Sequence, residues 1–284
     1  HMGGNSMVLT VKNTEIRYTK SDLKIREFIE NSTEEFLFMS IGQLAQRLQV
    51  SEATISRFAR HIGYRDFKDM KNAVIRKKAD QGAARKLAGT LMKNQGFDLA
   101  GWFAFQQECM EKTLENLDAE EFDRAVESIC TARRIYIHAK NASAATGQLL
   151  FFRLRRLGFD VSLIPSGGTE VVEGIVHADE KDLVILFGYS KISAEGKIIL
   201  DYARSAGYRT LLFTSRFHAS AGERGDVNLY VWRGEEDEFH SNAVSVALVD
   251  GLILALSEKM GSESAERMIK VQKAKKRYSL RGPL

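Results

Sequence analysis

Between Ser51 and His61, short hydroxyl side chains give way to long cations: Ser51, Thr54 and Ser56, then Arg57, Arg60 and His61, with Glu52 and Ala53 filling the first turn. Groups of these types donate to phosphate oxygens and to base edges in a major groove. The helix start that Ser51 would cap also presents backbone N–H groups to an anion. Interleaved with them, Ile55, Phe58, Ala59 and Ile62 recur at helical spacing, which commits one face to a core and leaves the other for a partner. Charge gathers in the same place. Residues 51–78 hold eight Lys/Arg against three acids, a local +5 that exceeds the +4 of the whole chain. Lys68 belongs to this basic surface. The residues assigned to duplex DNA are therefore Ser51, Glu52, Ala53, Thr54, Ser56, Arg57, Arg60 and Lys68. A solvated basic face on a helical bundle is the competing reading, and Arg57, beside Phe58, would also fit a structural ion pair.

A second group lies in two turns, each after an apolar run and before a helical one. His138-Ala139-Lys140-Asn141-Ala142-Ser143 follows Ile135–Ile137, and Gly188-Tyr189-Ser190-Lys191-Ile192-Ser193 follows Leu183–Phe187. Each turn offers hydroxyls, a lysine and the free N–H groups of a helix start, a set that favours phosphate or another small anion. The ligand-binding candidates are Lys140, Asn141, Ser143, Ser190, Lys191 and Ser193, with His240 ahead of the last long helix. Lys140 and Lys191 fit ordinary exposed lysines equally well. Ser166-Gly167-Gly168-Thr169 reads as a strand-to-helix turn with Thr169 as N-cap. Isomerase chemistry would need a base beside the sugar carbons. Glu170, Glu173, His177 and His240 are available, but none sits in a motif that demands catalysis, so no catalytic residue is assigned. Cys109 and Cys130 lack metal-ligand spacing, and no metal or cofactor is expected.

The elements that must carry these groups follow from periodicity and punctuation. Thr19 is expected to cap a helix with Leu23, Phe28 and Ile29 inward. Ser40 with Gln43 has capping-box spacing ahead of Ile41, Leu44, Ala45 and Leu48. Leu48-Gln49-Val50-Ser51 is then the tight turn of a helix-turn-helix, and Gly63 ends its second helix in the left-handed conformation. A further helix places Phe67, Met70, Val74 and Ile75 inward. Residues 81–104 read as a linker with some helix. Two more helices are expected over about 105–132, the second starting at Asp118. Beyond Arg133 five β-rich runs, at 135–137, 161–164, 183–187, 211–213 and 227–231, alternate with helical stretches. That alternation predicts a parallel sheet covered on both faces. A long helix from about Asn242 to Lys259 closes the chain's second half.

The stretch FMSIGQLAQRLQVSEATISRFARHIGYRDFKDMKNAV resembles the N-terminal domain of RpiR-type regulators, through its LA…VS.AT..RF.R.IGY..F…K pattern. The resemblance extends over most of the chain, because that family joins this domain to a sugar isomerase (SIS) domain. It implies DNA contacts at Ser51, Thr54, Ser56, Arg57 and Arg60, with Gly63-Tyr64 holding the last helix. It also implies that the two turns above are the ligand loops. There the family has Gly-x-Gly-x-Ser and a Ser-x-Ser-Gly-x-Thr type run. This chain has Ala139 and Asn141 at the glycine positions and keeps Ser143; it has Gly188 for the first Ser, keeps Ser190, and has Lys191 and Ser193 for Gly and Thr. The hydroxyls largely remain, and most of the glycines that allow close backbone approach are gone.

The expected architecture is an all-α helix-turn-helix domain over residues 7–80, a linker over 81–104, and over 105–284 an α/β three-layer sandwich with a five-stranded parallel, SIS-like sheet. With a strand order of 2-1-3-4-5, the crevice lies between the loops after the first and third strands. The leading reading is a ligand-responsive bacterial transcription regulator that binds operator DNA and a sugar phosphate or related anion. The second is a regulator whose second domain serves only assembly, and the third is a sugar-phosphate isomerase with an accessory DNA domain. A homodimer or homotetramer is expected, since helix-turn-helix proteins read paired half-sites. The long apolar helix (Val244, Val246, Ala247, Leu248, Leu252, Ile253, Leu254, Leu256) and helices 105–132 are candidates for its interface. His1-Met2-Gly3-Gly4 reads as a cloning scar with Met7 nearer the natural start. The lack of an 18-residue apolar run and the sparse thiols point to a cytoplasmic protein with no membrane segment. The basic tail, 270–281, reads as a solvated helix end or as an arm for DNA or an acidic neighbour.

Overall fold

The computed structural model of the chain describes Leu9 and residues 17–77, 82–93, 96–165, 167–217, 219–236 and 238–278. Met7, Lys78, Ser166 and Arg281 lie outside the described residues. The chain divides into two compact units. One runs to Trp102 and takes back Gly234–His240; the other holds Phe103–Arg233 and everything from Ser241 on.

The first unit contains α1 (Lys20–Asn31), α2 (Thr33–Phe38), α3 (Ile41–Leu48), α4 (Glu52–His61), α5 (Phe67–Lys77) and α6 (Gly82–Lys93). Its starts are chemically marked. Thr19 and Asp22 form a reciprocal capping box at α1, as do Ser40 and Gln43 at α3. Ile25, Ile29, Phe36, Leu44, Ile55, Phe58, Ile62, Met70 and Val74 are almost wholly buried in one cluster, each worth about 1.5–3 kcal/mol relative to exposure. Leu23, expected inward, is half exposed, because Ile25 and Ile29 take the inner stripe. The sequence reading also did not separate α2, and it took for a linker the residues that form α6 and the start of α7 (Leu99–Asn116). Gly234–His240 belong here through Phe239 N, which donates to Thr90 Oγ1 at 2.7 Å, and through the Phe239 ring beside Trp102.

The second unit contains the rest of α7, then α8 (Ala119–Cys130), β1 (Ile135–His138), α9 (Ser143–Arg156), β2 (Val161–Leu163), α10 (Glu170–Ile175), β3 (Leu183–Phe187), α11 (Ala194–Ala206), β4 (Arg209–Thr214), β5 (Val227–Tyr230), α12 (Ala243–Met260) and α13 (Ser262–Tyr278). The five strands are all parallel in the order β2-β1-β3-β4-β5. Alternation along the strands builds two cores. Ile135, Ile137, Leu183, Ile185, Phe187, Leu211 and Phe213 face the side covered by α8, α9 and α12, whereas Tyr136, Val184, Leu186 and Leu212 face α10 and α11. The expected three-layer arrangement and its switch point, between β1 and β3, are therefore present. Asp118 caps α8 through Glu120 N, and Glu121 reaches Asn228 N instead of closing a capping box. Thr169 makes no cap bond at α10. Val244, Leu252 and Leu256 of α12 are consumed by this unit's own core, while Leu254 is 71% exposed. No helix among the described residues is long and apolar enough to cross a membrane.

Candidate nucleic-acid and effector sites

The turn before α4 is made by Gln49, whose left-handed backbone (φ 50°) lets Val50 N return to Ala45 O at 3.0 Å. Ser51 then caps α4, its hydroxyl accepting from Thr54 N at 3.1 Å and lying 2.8 Å from Thr54 Oγ1. Gly63, at φ 98°, closes the other end, with Tyr64 N on Ala59 O. Ile55, Phe58 and Ala59 are buried, so the outer face presents Ser51, Ala53, Arg57, Arg60 and His61 in the open and Thr54 and Ser56 half-buried. Arg57 Nη2 donates to Thr54 Oγ1 at 3.3 Å, and Arg60 Nε to Ser56 O at 3.3 Å. Both guanidiniums keep donors for a phosphate.

Two assigned residues behave differently. The Glu52 carboxylate folds back over α3, so close that a Cβ on Gly42 would sit 2.9 Å from its Oε1. It lies there against a helix start, which favours an anion. Lys68 is exposed on α5, apart from the α4 face. Thr19, Ser21 and Asp22 line an open cleft with Thr54, Arg57 and His61, and His61 Nδ1 lies 3.2 Å from Asp22 Oδ2.

At the carboxyl ends of β1 and β3, the two loops meet. Lys140 Nζ donates to Glu195 Oε1 at 2.6 Å, joining the first loop to α11. The lysine and the backbone N–H groups at the helix start hold the Glu195 carboxyl down to about 2. Ser193 caps α11 by accepting from Gly196 N at 3.0 Å, and its hydroxyl is 3.4 Å from His138 Nε2. His138 is buried with Nδ1 unpartnered. Its pKa is lowered, chiefly by burial, with Lys140 adding to that effect and Glu195 opposing it. Asn141 adopts φ 55°, so this position still demands the left-handed backbone that glycine supplies most easily and asparagine tolerates. Ala139 stands so near α9 that a Cβ on Gly147 would be 2.6 Å from its methyl. Ser143 is the first residue of α9, and Ser190 is half-buried beside the exposed Lys191.

Of the expected ligand residues, the structure thus brings Lys140 and Ser193 into one bonded cluster and sets Asn141, Ser143, Ser190 and Lys191 on the same two loops. His240 belongs to the first unit, where it bonds Lys86 Nζ and Glu235 O. Glu170, Glu173 and His177 are exposed.

Sequence reasoning missed four participants. Glu195 and His138 each lie two positions from a ligand candidate it named, Ser193 and Lys140. Tyr189, 4% exposed, bonds Ser245 Oγ at 2.6 Å and carries the Arg233 guanidinium 3.5 Å above its ring. Asn242 Nδ2 donates to Ala142 O at 2.9 Å. No local pattern marks these residues, because their partners are 40 to 100 positions away.

Comparison with known proteins agrees with this geometry. Residues 6–81 match the family model described as helix-turn-helix domain, rpiR family, and residues 128–257 match the SIS domain. A helix-turn-helix-type transcriptional regulator of Caldanaerobacter subterraneus subsp. tengcongensis is 24% identical over 251 residues, covering 85% of this chain and 87% of the relative. Another from Haemophilus influenzae is 26% identical over 215 residues, 74% of each. Among solved structures, the Vibrio vulnificus NanR protein complexed with ManNAc-6P superposes with a TM-score of 0.56 at 20% identity, over 91% of this chain and 93% of that one. The sugar isomerase domain of the RpiR transcription factor from Sphaerobacter thermophilus gives 0.56 at 22% identity, over 60% and 96%. These two likenesses concern the fold. The chain therefore joins a helix-turn-helix domain of the rpiR family, over residues 6–81, to a SIS domain, over residues 128–257.

Proposed function

We propose that the protein is a DNA-binding transcriptional regulator whose SIS domain senses a phosphosugar or a related small anion. The observation that carries the first half is the outer face of α4: Ser51, Thr54, Ser56, Arg57 and Arg60 stand together on a helix whose opposite side is wholly consumed by core. Such a face suits a major groove, with the capped first turn toward the bases and the arginines toward phosphates. Support for the second half comes from the switch point of the sheet, where the loops after β1 and β3 each open a helix. The NanR protein, similar in fold, was solved complexed with ManNAc-6P, which makes amino-sugar phosphates the first compounds to try.

A second reading, in which the SIS domain serves assembly alone, is favoured by one observation. The Lys140 charge is already neutralised by Glu195. An isomerase reading fares worse. Glu195 is held far below the range of a base working near neutral pH, and the carboxylates named for that role, Glu170 and Glu173, are exposed.

The test is fluorescence anisotropy on promoter DNA, with and without sugar phosphates, beside thermal melts of the same samples. A compound at about 100 times its Kd should stabilise the fold by about 2.7 kcal/mol. A compound that raises the melting temperature and changes DNA affinity supports the sensor. Unchanged melts across the panel with intact DNA binding favour assembly alone. A symmetric dimer matched to paired half-sites completes the proposal, and a monomer in light scattering at the DNA-binding concentration would remove that part of it.

A further inference from the structure

Most cations described near the carboxyl end of the sheet are accounted for. Lys140 is paired with Glu195, Arg216 with Glu223 at 2.6 Å, and Lys191 is exposed to water. Arg233, three residues beyond β5, is different. Its guanidinium lies 3.5 Å above the ring of Tyr189, two residues beyond β3. It is half-buried, its Nε is buried with no hydrogen-bond partner, and it makes no ion pair among the described residues. Burial lowers its pKa, opposed only by Tyr189.

A guanidinium desolvated without a counter-charge is costly, and proteins rarely keep one without a use. Its surroundings are polar and held in place. Tyr189 is fixed by Ser245 Oγ and by Ser215 N, which donates to Tyr189 O at 3.2 Å. The exit of β5 is fixed by Trp232 N donating to Thr113 Oγ1 at 2.9 Å. On the same helix start as Ser245, Asn242 ties α12 to Ala142 while its Oδ1 is buried with no donor. Thr146 Oγ1, one turn into α9, is likewise buried and unpartnered. A guanidinium Nε without an acceptor thus shares one end of the sheet with polar atoms that also lack partners.

We infer that Arg233 is the anion-recognition residue of the effector site, taking an oxyanion of the ligand (a carboxylate or a phosphoryl group) on its guanidinium fork above Tyr189. The inference rests on the sensor reading above and adds to it. The ligand's charge is read by the end of β5, and the two loops after β1 and β3 supply hydroxyls to the remainder. A planar fork suits either oxyanion, and the stack on Tyr189 holds it ready.

Calorimetric titration of the full chain with glucose 6-phosphate, gluconate, 6-phosphogluconate, glucose and inorganic phosphate tests it, repeated on Arg233→Met and Arg233→Lys. Binding of an acidic probe is expected, with a roughly ten- to hundredfold loss in Arg233→Met, as for charge-assisted hydrogen bonds to an ion, and partial recovery in Arg233→Lys. Preference for gluconate or for glucose 6-phosphate identifies the oxyanion. Arg233→Met without ligand should melt higher than wild type, because a half-buried charge with no counter-charge has been removed; a merely structural arginine would melt lower, and that result overturns the inference. Affinity unchanged in Arg233→Met overturns it while leaving the sensor standing. Failure of every probe to bind wild type, inorganic phosphate included, removes both.

Discussion

Lys140 Nζ sits 2.6 Å from Glu195 Oε1, so a cation of the first loop is spent on the first turn of the helix after the second. Glu195→Gln should release that cation and raise affinity for an acidic ligand several-fold, read by calorimetry; no change would place Lys140 away from the ligand. The pair also predicts an acid sensitivity. Glu195 is depressed from 4.5 to about 2, so the folded state holds its proton less tightly than the unfolded chain. The contribution of the pair is complete above the unfolded value and is lost as pH falls toward the folded one. Wild type should therefore lose stability relative to Glu195→Gln on acidification through that window.

The contact between Ala139 and α9 gives a second test. Gly147→Ala places its methyl 2.6 Å from that of Ala139 and should cost about 1–3 kcal/mol by overpacking. The double variant Ala139→Gly with Gly147→Ala removes the clash and keeps the helix-favouring alanine, worth up to about 1 kcal/mol over glycine. Denaturant melts of the full cycle should show strong coupling. Additive effects would mean that α9 shifts freely on the sheet.

Lys71 is 3% exposed and donates to Met39 O at 2.5 Å, with the rings of Phe36 and Phe67 about its ammonium. Burial lowers it from 10.5 to about 8. Between those values the unfolded chain binds the proton and the folded one does not, so stability rises with pH there. The difference in unfolding free energy between wild type and Lys71→Met should move toward wild type as pH climbs from about 8, by up to about 1.4 kcal/mol per unit. A flat difference would show that the ammonium stays charged.

For the DNA face, Arg57→Ala and Arg60→Ala should each weaken binding across sequences and reduce the salt slope by about one. Ser51→Ala loses a cap and should cost about 1 kcal/mol of stability whatever DNA does. Glu52→Gln is expected to change DNA affinity little, since its carboxylate lies against Gly42. A large loss on Glu52→Gln would show that it swings outward to a base.

Most of the architecture was legible because it rests on local signals. Thr19, Ser40, Ser51 and Asp118 mark helix starts, Gly63 marks an end, and the five apolar runs are the five strands. What escaped was decided by distant partners. Leu23 has an apolar side chain, yet Ile25 and Ile29 outcompete it for the core. The glycines of 82–101 suggested a linker, but Ala88, fully buried, joins the first unit's core. In the candidate site, hydroxyls and lysines advertised themselves by type. Arg233 and Asn242 did not, because an unpaired buried group is defined by what surrounds it, and that is a property of the fold.

Gly234–His240 carry one more consequence. The chain leaves the sheet unit after Arg233, spends seven residues in the helical unit and returns at Ser241. The two units are therefore joined by three peptide crossings, not one. A single cut near Trp102 would not set them apart, and a fragment starting at Phe103 would carry Phe239 deprived of Thr90 and Trp102. In the chain, residues 234–240 are spliced between Arg233 and Asn242, whose Nε and Oδ1 are left waiting for a partner.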